Sequence, residues 1–369
     1  MIKVLVVDDS AVAREFMTYL LSGDADLRVI GTASDGEEAV RAVRALQPDV
    51  IVMDVVMPRM DGLEATRAIM EATPTPIVVV SASWRRGEVD QTFRALEAGA
   101  LTALEKPAGA AHPQHERLAK ELLQVVKLMA RVKVVKRTPK APGTAPAGIA
   151  MHGGAAEVHG AAAAAPLRLV AMGASTGGPN AIREVLGGLP ADFPAPVLIV
   201  QHIAPGFVRG FADWLTETTA HEVALARDGE RPLPGRVYVA PDGRQTGIGR
   251  DGRLALSDDA ADAGLRPSVA HLFRSLAAVA GPDTAAVLLT GMGKDGAAEM
   301  KTLRERGALT IAQDAGSCVV YGMPAEAVAL GAADLVLPPR EIAAALTRRS
   351  RGRAPAPARR AAPAPKAQR

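Results

Sequence analysis

Two α/β domains, each a parallel or mostly parallel sheet wound on both faces by helices, are what this chain predicts. Three observations carry that expectation. Short apolar runs alternate with helix-like stretches through residues 1–125, and a second alternation fills 167–347. Between them, 126–166 becomes Ala/Pro/Gly-rich and lacks the branched and aromatic side chains a core needs, so it reads as a flexible linker. A length of 369 residues also exceeds one ordinary domain, at about 100–200 residues each.

In the first half, apolar runs fall at Val4–Val7, Val29–Ile30, Val50–Met53, Ile77–Val80 and Leu101–Leu104. Helix-like segments Ala11–Leu21, Glu37–Leu46, Gly62–Glu71 and Val89–Ala98 separate them, and a last helix is expected from Glu116 to Val135. Five βα repeats imply a parallel sheet with helices on both faces. The second half has runs at Leu169–Met172, Val197–Val200, Val237–Ala240, Val287–Leu289, Thr310–Ala312 and Leu335–Leu337. Asp251-Gly252, between Thr246–Ile248 and Leu254–Leu256, marks a hairpin, which predicts a mostly parallel but mixed sheet. The last stretch, 348–369, is Ala/Pro/Arg-rich and is expected to be a disordered basic tail.

Composition narrows the function classes. No apolar run approaches the ~20 residues that cross a bilayer, so no membrane insertion is expected. The opening Met1–Val7 is halted by Asp8-Asp9 with no cleavage site after it, and reads as a buried first strand rather than a leader. A lone cysteine, Cys318, excludes an intrachain disulfide framework and fits a reducing cytoplasm. The net charge of +3 misleads. Stretch 126–165 holds six basic residues and one acidic, and 348–369 holds eight basic; the rest carries 29 basic against 39 acidic. The presumptive domains are therefore acidic, and no nucleic-acid partner is expected. The tail reads as solvated, or as an electrostatic tether to an acidic surface.

Polar residues gather where the first set of strands ends. Asp8 and Asp9 end the first strand, Asp54 the third and Ser81 the fourth, while Lys106 follows the fifth. Taken singly, an Asp after a strand is ordinarily a helix N-cap. Five polar residues on one edge of a parallel sheet mark the edge where such folds bind ligands. Crowded carboxylates repel unless a cation joins them, and oxygen-only ligands suit Mg²⁺. Val7-Asp8-Asp9-Ser10, Met53–Gly62, Ser81 and Lys106-Pro107 closely resemble a response-regulator receiver domain, over nearly all of 1–125. The resemblance implies a flavodoxin-like (βα)5 fold in which Asp54 accepts a phosphoryl group from a histidine kinase. It implies Mg²⁺ ligated by Asp9, Asp54 and the Val56 carbonyl with Asp8 in support, and phosphoryl contacts from Ser81 and Lys106.

The second half carries a different chemistry. Gly173-Ala174-Ser175-Thr176-Gly177-Gly178 sits between an apolar run and a helix-like stretch, the layout of a nucleophile elbow. Taken alone, a glycine turn there needs no catalysis. A serine nucleophile needs a base, and of seven histidines only His202 follows a strand at its carboxyl end. Asp295, on the glycine-rich loop Thr290–Gly296 after another strand, is the candidate to orient the imidazole. The order Ser…His…Asp differs from Ser…Asp…His of α/β-hydrolases, which argues against a standard lipase or esterase.

These motifs, with Arg266-Pro267-Ser268-Val269, Ile311-Ala312-Gln313 and Ser317–Pro324, resemble the catalytic domain of chemotaxis response regulator protein-glutamate methylesterases across 167–337. The resemblance implies a cytoplasmic enzyme that hydrolyses glutamate methyl esters on methyl-accepting chemoreceptors and also deamidates receptor glutamines. It gives Ser175, His202 and Asp295 the triad roles and the Met292 backbone N–H the oxyanion. It needs no cofactor for the esterase reaction, takes its phosphoryl group from a chemotaxis histidine kinase, and has an unphosphorylated receiver that covers the catalytic site. Rival readings are a non-catalytic response regulator, a DNA-binding output domain, disfavoured by the acidic balance, and a generic serine esterase under receiver control.

Overall fold

The computed structural model describes residues 1–81, 86–107, 109, 115–132, 134, 166–262 and 264–352. The expected linker segment 138–165, His112, His152, His159 and the tail from 353 onward lie outside them.

The first sheet has five strands: β1 (Ile2–Val7), β2 (Leu27–Ala33), β3 (Val50–Asp54), β4 (Ile77–Ser81) and β5 (Thr102–Glu105). Their order is β2-β1-β3-β4-β5, parallel throughout. Every residue of β3 and β4 is buried, because helices cover both faces and a near-continuous apolar run is the sequence form of such a strand. The intervening helices are α1 (Ala11–Ser22), α2 (Gly36–Leu46), α3 (Gly62–Ala72), α4 (Arg86–Ala98) and α5 (His115–Met129). Local chemistry sets their starts: Asp35 caps α2, and Asp61 with Glu64 forms a capping box on α3. Helix α5 stops at Met129, six residues before the expected Val135. Met129 is its last buried apolar anchor, and beyond it the chain turns.

The second sheet has seven strands: β6 (Leu169–Ala174), β7 (Val197–Gln201), β8 (Glu222–Leu225), β9 (Arg236–Val239), β12 (Thr284–Leu288), β13 (Leu309–Gln313) and β14 (Leu335–Leu337). Its order is β14-β13-β12-β6-β7-β9-β8, and every pairing is parallel. The predicted hairpin exists as β10 (Gln245–Ile248) and β11 (Leu254–Ser257), with Gly252 at φ 77°. The expectation of a mixed sheet is corrected: the hairpin is a separate two-stranded ribbon. It bonds to a helix instead of a sheet edge, with the Ile248 N–H donating to Ser275 Oγ at 3.0 Å and the Ser268 N–H to Gln245 Oε1 at 2.9 Å.

Helices α6 (Gly178–Gly188), α7 (Val208–Thr218), α8 (Val269–Ala277), α9 (Ala297–Glu305), α10 (Met323–Ala329) and α11 (Pro339–Ser350) complete the chain. Helix α11 runs past the expected boundary at 347, so Arg348–Ser350 are helical rather than tail; Arg349 and Ser350 are buried. Among the described residues, packing gives two compact units, one within 1–134 together with 203–214, and one within 166–202 and 215–352. The sequence reading placed 203–214 with the second domain. In the first unit, Phe93 stacks on Trp214 at 5.3 Å and tilts against Phe211 at 5.7 Å, which accounts for the assignment.

Candidate active site

Strand β6 occupies the middle of the second sheet. After it the chain builds outward through β7 to β9 and β8, then returns to the other side of β6 for β12, β13 and β14. The strand order therefore reverses at β6, and ligands of open parallel sheets bind outside the carboxyl ends of strands at such a point. Ser175 directly follows β6, His202 directly follows β7, and Asp295 lies on the loop after β12.

The Ser175 backbone is held on both sides. Its N–H donates to the Thr290 carbonyl at 3.0 Å, and its carbonyl accepts the Gly178 N–H at 2.8 Å. Gly177, at φ 79°, turns the chain from strand into α6 in a conformation that side chains disfavour. Gly291 presses on Ser175 so closely that a Cβ there would lie 2.7 Å from Ser175 Cβ. Thus two of the glycines flanking these motifs are required, one for conformation and one for space.

Across the β6–β7 register Ala174 pairs with Gln201, so Ser175 and His202 occupy the next position on neighbouring strands. The His202 N–H confirms the register by donating to the Ala174 carbonyl at 2.9 Å. His202 Nε2 lies 2.9 Å from Asp295 Oδ2, and both side chains are mostly buried. Asp295 is itself fixed: its Oδ2 accepts the Val269 N–H at 2.6 Å and its Oδ1 the Ala270 N–H at 2.9 Å. Those are first-turn donors of α8, so the carboxylate sits at a helix N-terminus, where unpaired N–H groups and the positive dipole end favour it. The clamp was not read from sequence, although Arg266-Pro267-Ser268-Val269 was singled out there without a role.

The structure joins His202 to Asp295 and places Ser175 at the adjacent strand end. Among the described residues no hydrogen bond links the Ser175 hydroxyl to His202, whose Nδ1 is likewise unengaged. With Nε2 turned to Asp295, Nδ1 is the nitrogen left for the serine; catalytic contacts of this kind often tighten only when substrate binds. Met292 is 37% exposed. Neither its backbone N–H nor that of Thr176 donates to a protein acceptor among the described residues, so both are open to an oxyanion. The other described histidines are elsewhere: His221 is buried, with Nε2 3.1 Å from the Leu186 carbonyl, and His115 and His271 lie within α5 and α8.

Cys318 lies near this site without the chemistry of a nucleophile. Burial, followed by the negative charge of Asp314, pushes its thiol up to about 12. A thiol raised so far is protonated throughout the neutral range, since the thiolate appears only as pH approaches that value. Iodoacetamide at pH 8 should therefore modify Cys318 on the order of 10³-fold more slowly than an unfolded control, and the rate should climb with pH. Equal rates in the two forms would contradict this assignment.

At the carboxyl edge of the first sheet, ligand oxygens of Asp8, Asp9 and Asp54 lie within 4.8 Å of one another. Asp8, Asp54 and Ser81 are buried, whereas Asp9 and Val56 are exposed. Lys106 Nζ reaches Asp8 Oδ2 at 2.6 Å and Asp54 Oδ2 at 2.5 Å. The Lys106 N–H donates to the Ser81 carbonyl, tying β5 to the end of β4. Burial pushes the Asp54 carboxyl above the usual carboxylate range; Lys106 pulls it back in part and the charge of Asp8 adds to the rise. Three carboxylates face one bridging ammonium here. A hard, oxygen-seeking cation fits that donor set, and Mg²⁺ is such a cation.

Comparison with known proteins gives a family for each half of the chain. Residues 4–115 match the family model described as response regulator receiver domain, and 170–346 match that of CheB methylesterase. A protein-glutamate methylesterase/protein-glutamine glutaminase of Nitrosospira multiformis is 51% identical, covering 94% of this chain and 96% of that protein. One from Geobacter metallireducens is 53% identical, covering 94% and 98%. The crystal structure of the Thermotoga maritima CheB methylesterase catalytic domain is 37% identical, with a TM-score of 0.48, covering 50% of this chain and 99% of that one. Identity above 50% to the Nitrosospira and Geobacter proteins over 94% of this chain settles the assignment: this chain belongs to the CheB methylesterase family, with a response regulator receiver domain ahead of the catalytic domain.

Proposed function

We propose that this enzyme hydrolyses γ-glutamyl methyl esters on methyl-accepting chemoreceptors in the cytoplasm, and deamidates receptor glutamines at the same site. The observation that carries the reading is the His202–Asp295 pair, clamped by α8, with His202 at the strand end beside Ser175. Ser175 Oγ attacks the side-chain carbonyl carbon while His202 Nδ1 takes its proton. The oxygen that becomes negative is met by the Met292 N–H, a contact of the kind commonly worth ~2.7–4 kcal/mol. Collapse breaks the bond to the methoxy or amino group, which leaves with the proton from His202 as methanol or ammonia. Water, deprotonated by the same imidazole, then releases the glutamate and restores the serine. Both reactions are acyl transfers to water, so one site serves both, and neither needs a cofactor.

In the receiver, Asp54 accepts a phosphoryl group from a chemotaxis histidine kinase. Asp9, Asp54 and the Val56 carbonyl would hold Mg²⁺, with Asp8 in support, and the ion would offset the charge of the phosphoryl oxygens. Lys106 and Ser81 contact those oxygens, and the charge change relieves inhibition of the esterase. Methanol release from methyl-labelled receptor should rise when acetyl phosphate and Mg²⁺ are added. Asp54→Asn should stay at the basal rate under the same conditions, and a chelator should hold the wild type there. Full activation of Asp54→Asn would overturn the regulatory assignment; no methanol release by the wild type would overturn the enzymatic one.

A further inference from the structure

The strand-end residue that precedes His202 is a buried glutamine, 4% exposed, whose amide spans both halves of the catalytic pair. Gln201 Nε2 donates to the Ser175 carbonyl at 2.8 Å and to the His202 carbonyl at 2.7 Å. A primary amide has two N–H donors, so both are spent, one on the backbone of each residue. Its Oε1 is buried with no hydrogen-bond partner. An orphaned buried acceptor is costly, and turning the amide over would set that oxygen against two carbonyls, which is worse. The amide is therefore locked in one orientation by the backbones of Ser175 and His202.

The space for it is also particular. Gln201 Oε1 lies against Gly178, where a Cβ would come within 2.0 Å of it. Gly178 in turn gives its N–H to the same Ser175 carbonyl. Direct strand pairing ends at Ala174 and Gln201. Beyond it the Ser175 and His202 backbones have diverging routes, one turning into α6 and the other into the loop before α7. The Gln201 amide is a side-chain bridge across that gap.

We propose that Gln201 is a positioning residue for the reaction: its amide fixes the spacing of nucleophile and base where the sheet no longer does. It touches no reacting atom. Its contribution is to hold the two backbones at the separation from which the Ser175 hydroxyl and His202 Nδ1 meet once substrate arrives. Small misplacements of reacting groups can cost about 10²-fold, so the expected loss lies in kcat. The role deepens the serine-hydrolase reading above and rests on it.

The test uses the full chain with Gln201→Met, which keeps the length and removes the donors, and Gly178→Ala, which keeps the amide and displaces it. Two readouts are needed. Methanol release from methyl-labelled receptor gives kcat and KM. Reaction with an alkyl fluorophosphonate, in which Ser175 Oγ bonds to phosphorus, fluoride leaves and His202 takes the proton, gives a rate constant and an end-point of labelled enzyme. Both single variants should lose about 10²-fold in kcat with KM within about twofold, and should label at a correspondingly slower rate to the wild-type end-point. The Gly178→Ala/Gln201→Ala pair should lose less than the product of the Gly178→Ala and Gln201→Ala losses, because the added Cβ then meets only Ala174 Cβ, at 2.8 Å, and no longer the amide. A purely structural role would instead lower the labelled end-point in proportion to unfolded protein, with the rate constant per active molecule unchanged. That outcome, unchanged kcat, or additive losses in the double variant would overturn the proposal. Wild-type protein that labels at Ser175 but releases no methanol would overturn the substrate assignment and leave the positioning role standing.

Discussion

Replacing Ser175 with alanine should lower methanol release by as much as ~10⁶-fold, the scale seen when a nucleophile acts as one unit with its base and orienting carboxylate. The residue change is sterically mild. Ser175 Cβ already packs beneath Gly291, and the backbone bonds to Thr290 and Gly178 do not involve the side chain. The loss should therefore fall on kcat, with the melting temperature and receptor affinity close to wild type. Retained turnover would require a second nucleophile. Cys318, with its thiol pushed up to about 12, is poorly suited to that part. Steady-state release of labelled methanol, with the variant at high concentration, reads the effect directly.

Asp295→Asn should lower kcat by about 10⁴-fold for a different reason. The carboxylate accepts three hydrogen bonds, from His202 Nε2, the Val269 N–H and the Ala270 N–H, and offers only acceptors in return. An asparagine has a single oxygen. If its NH₂ group takes the Oδ2 position, it confronts the Val269 N–H and forces His202 to present a lone pair at Nε2. The ring proton then moves to Nδ1, the nitrogen that must accept a proton from Ser175, and the base is lost. If the NH₂ takes the Oδ1 position instead, the buried Ala270 N–H loses its acceptor, at about 1–3 kcal/mol in stability. A pH–rate profile with circular dichroism separates these effects. Loss of less than tenfold in a folded variant would contradict the role given to Asp295.

Much of this architecture was legible because the strands are buried on both faces and read as unbroken apolar runs. Val50–Met53 and Ile77–Val80 needed no further context. Strand β8 escaped notice: Glu222–Leu225 is four residues at a sheet edge with only Val223 buried, which leaves no run to detect. The hairpin turn was visible in Asp251-Gly252, but its docking was not, since the bonds to Ser268 and Ser275 join residues over 20 positions apart. The site divides the same way. Ser175, His202 and Asp295 each follow a strand and could be found by that position. The N–H clamp from α8 and the Gln201 bridge use backbone groups, which every sequence supplies and none advertises.

We propose that Ser175, His202 and Asp295 form one hydrolytic site on the rim of the second sheet. Peptide mapping of the full chain during fluorophosphonate inactivation tests it most directly. A single adduct is expected, on Ser175, whose accumulation tracks the loss of methanol release one for one. An adduct on another residue, or undiminished release from protein fully modified at Ser175, would contradict it.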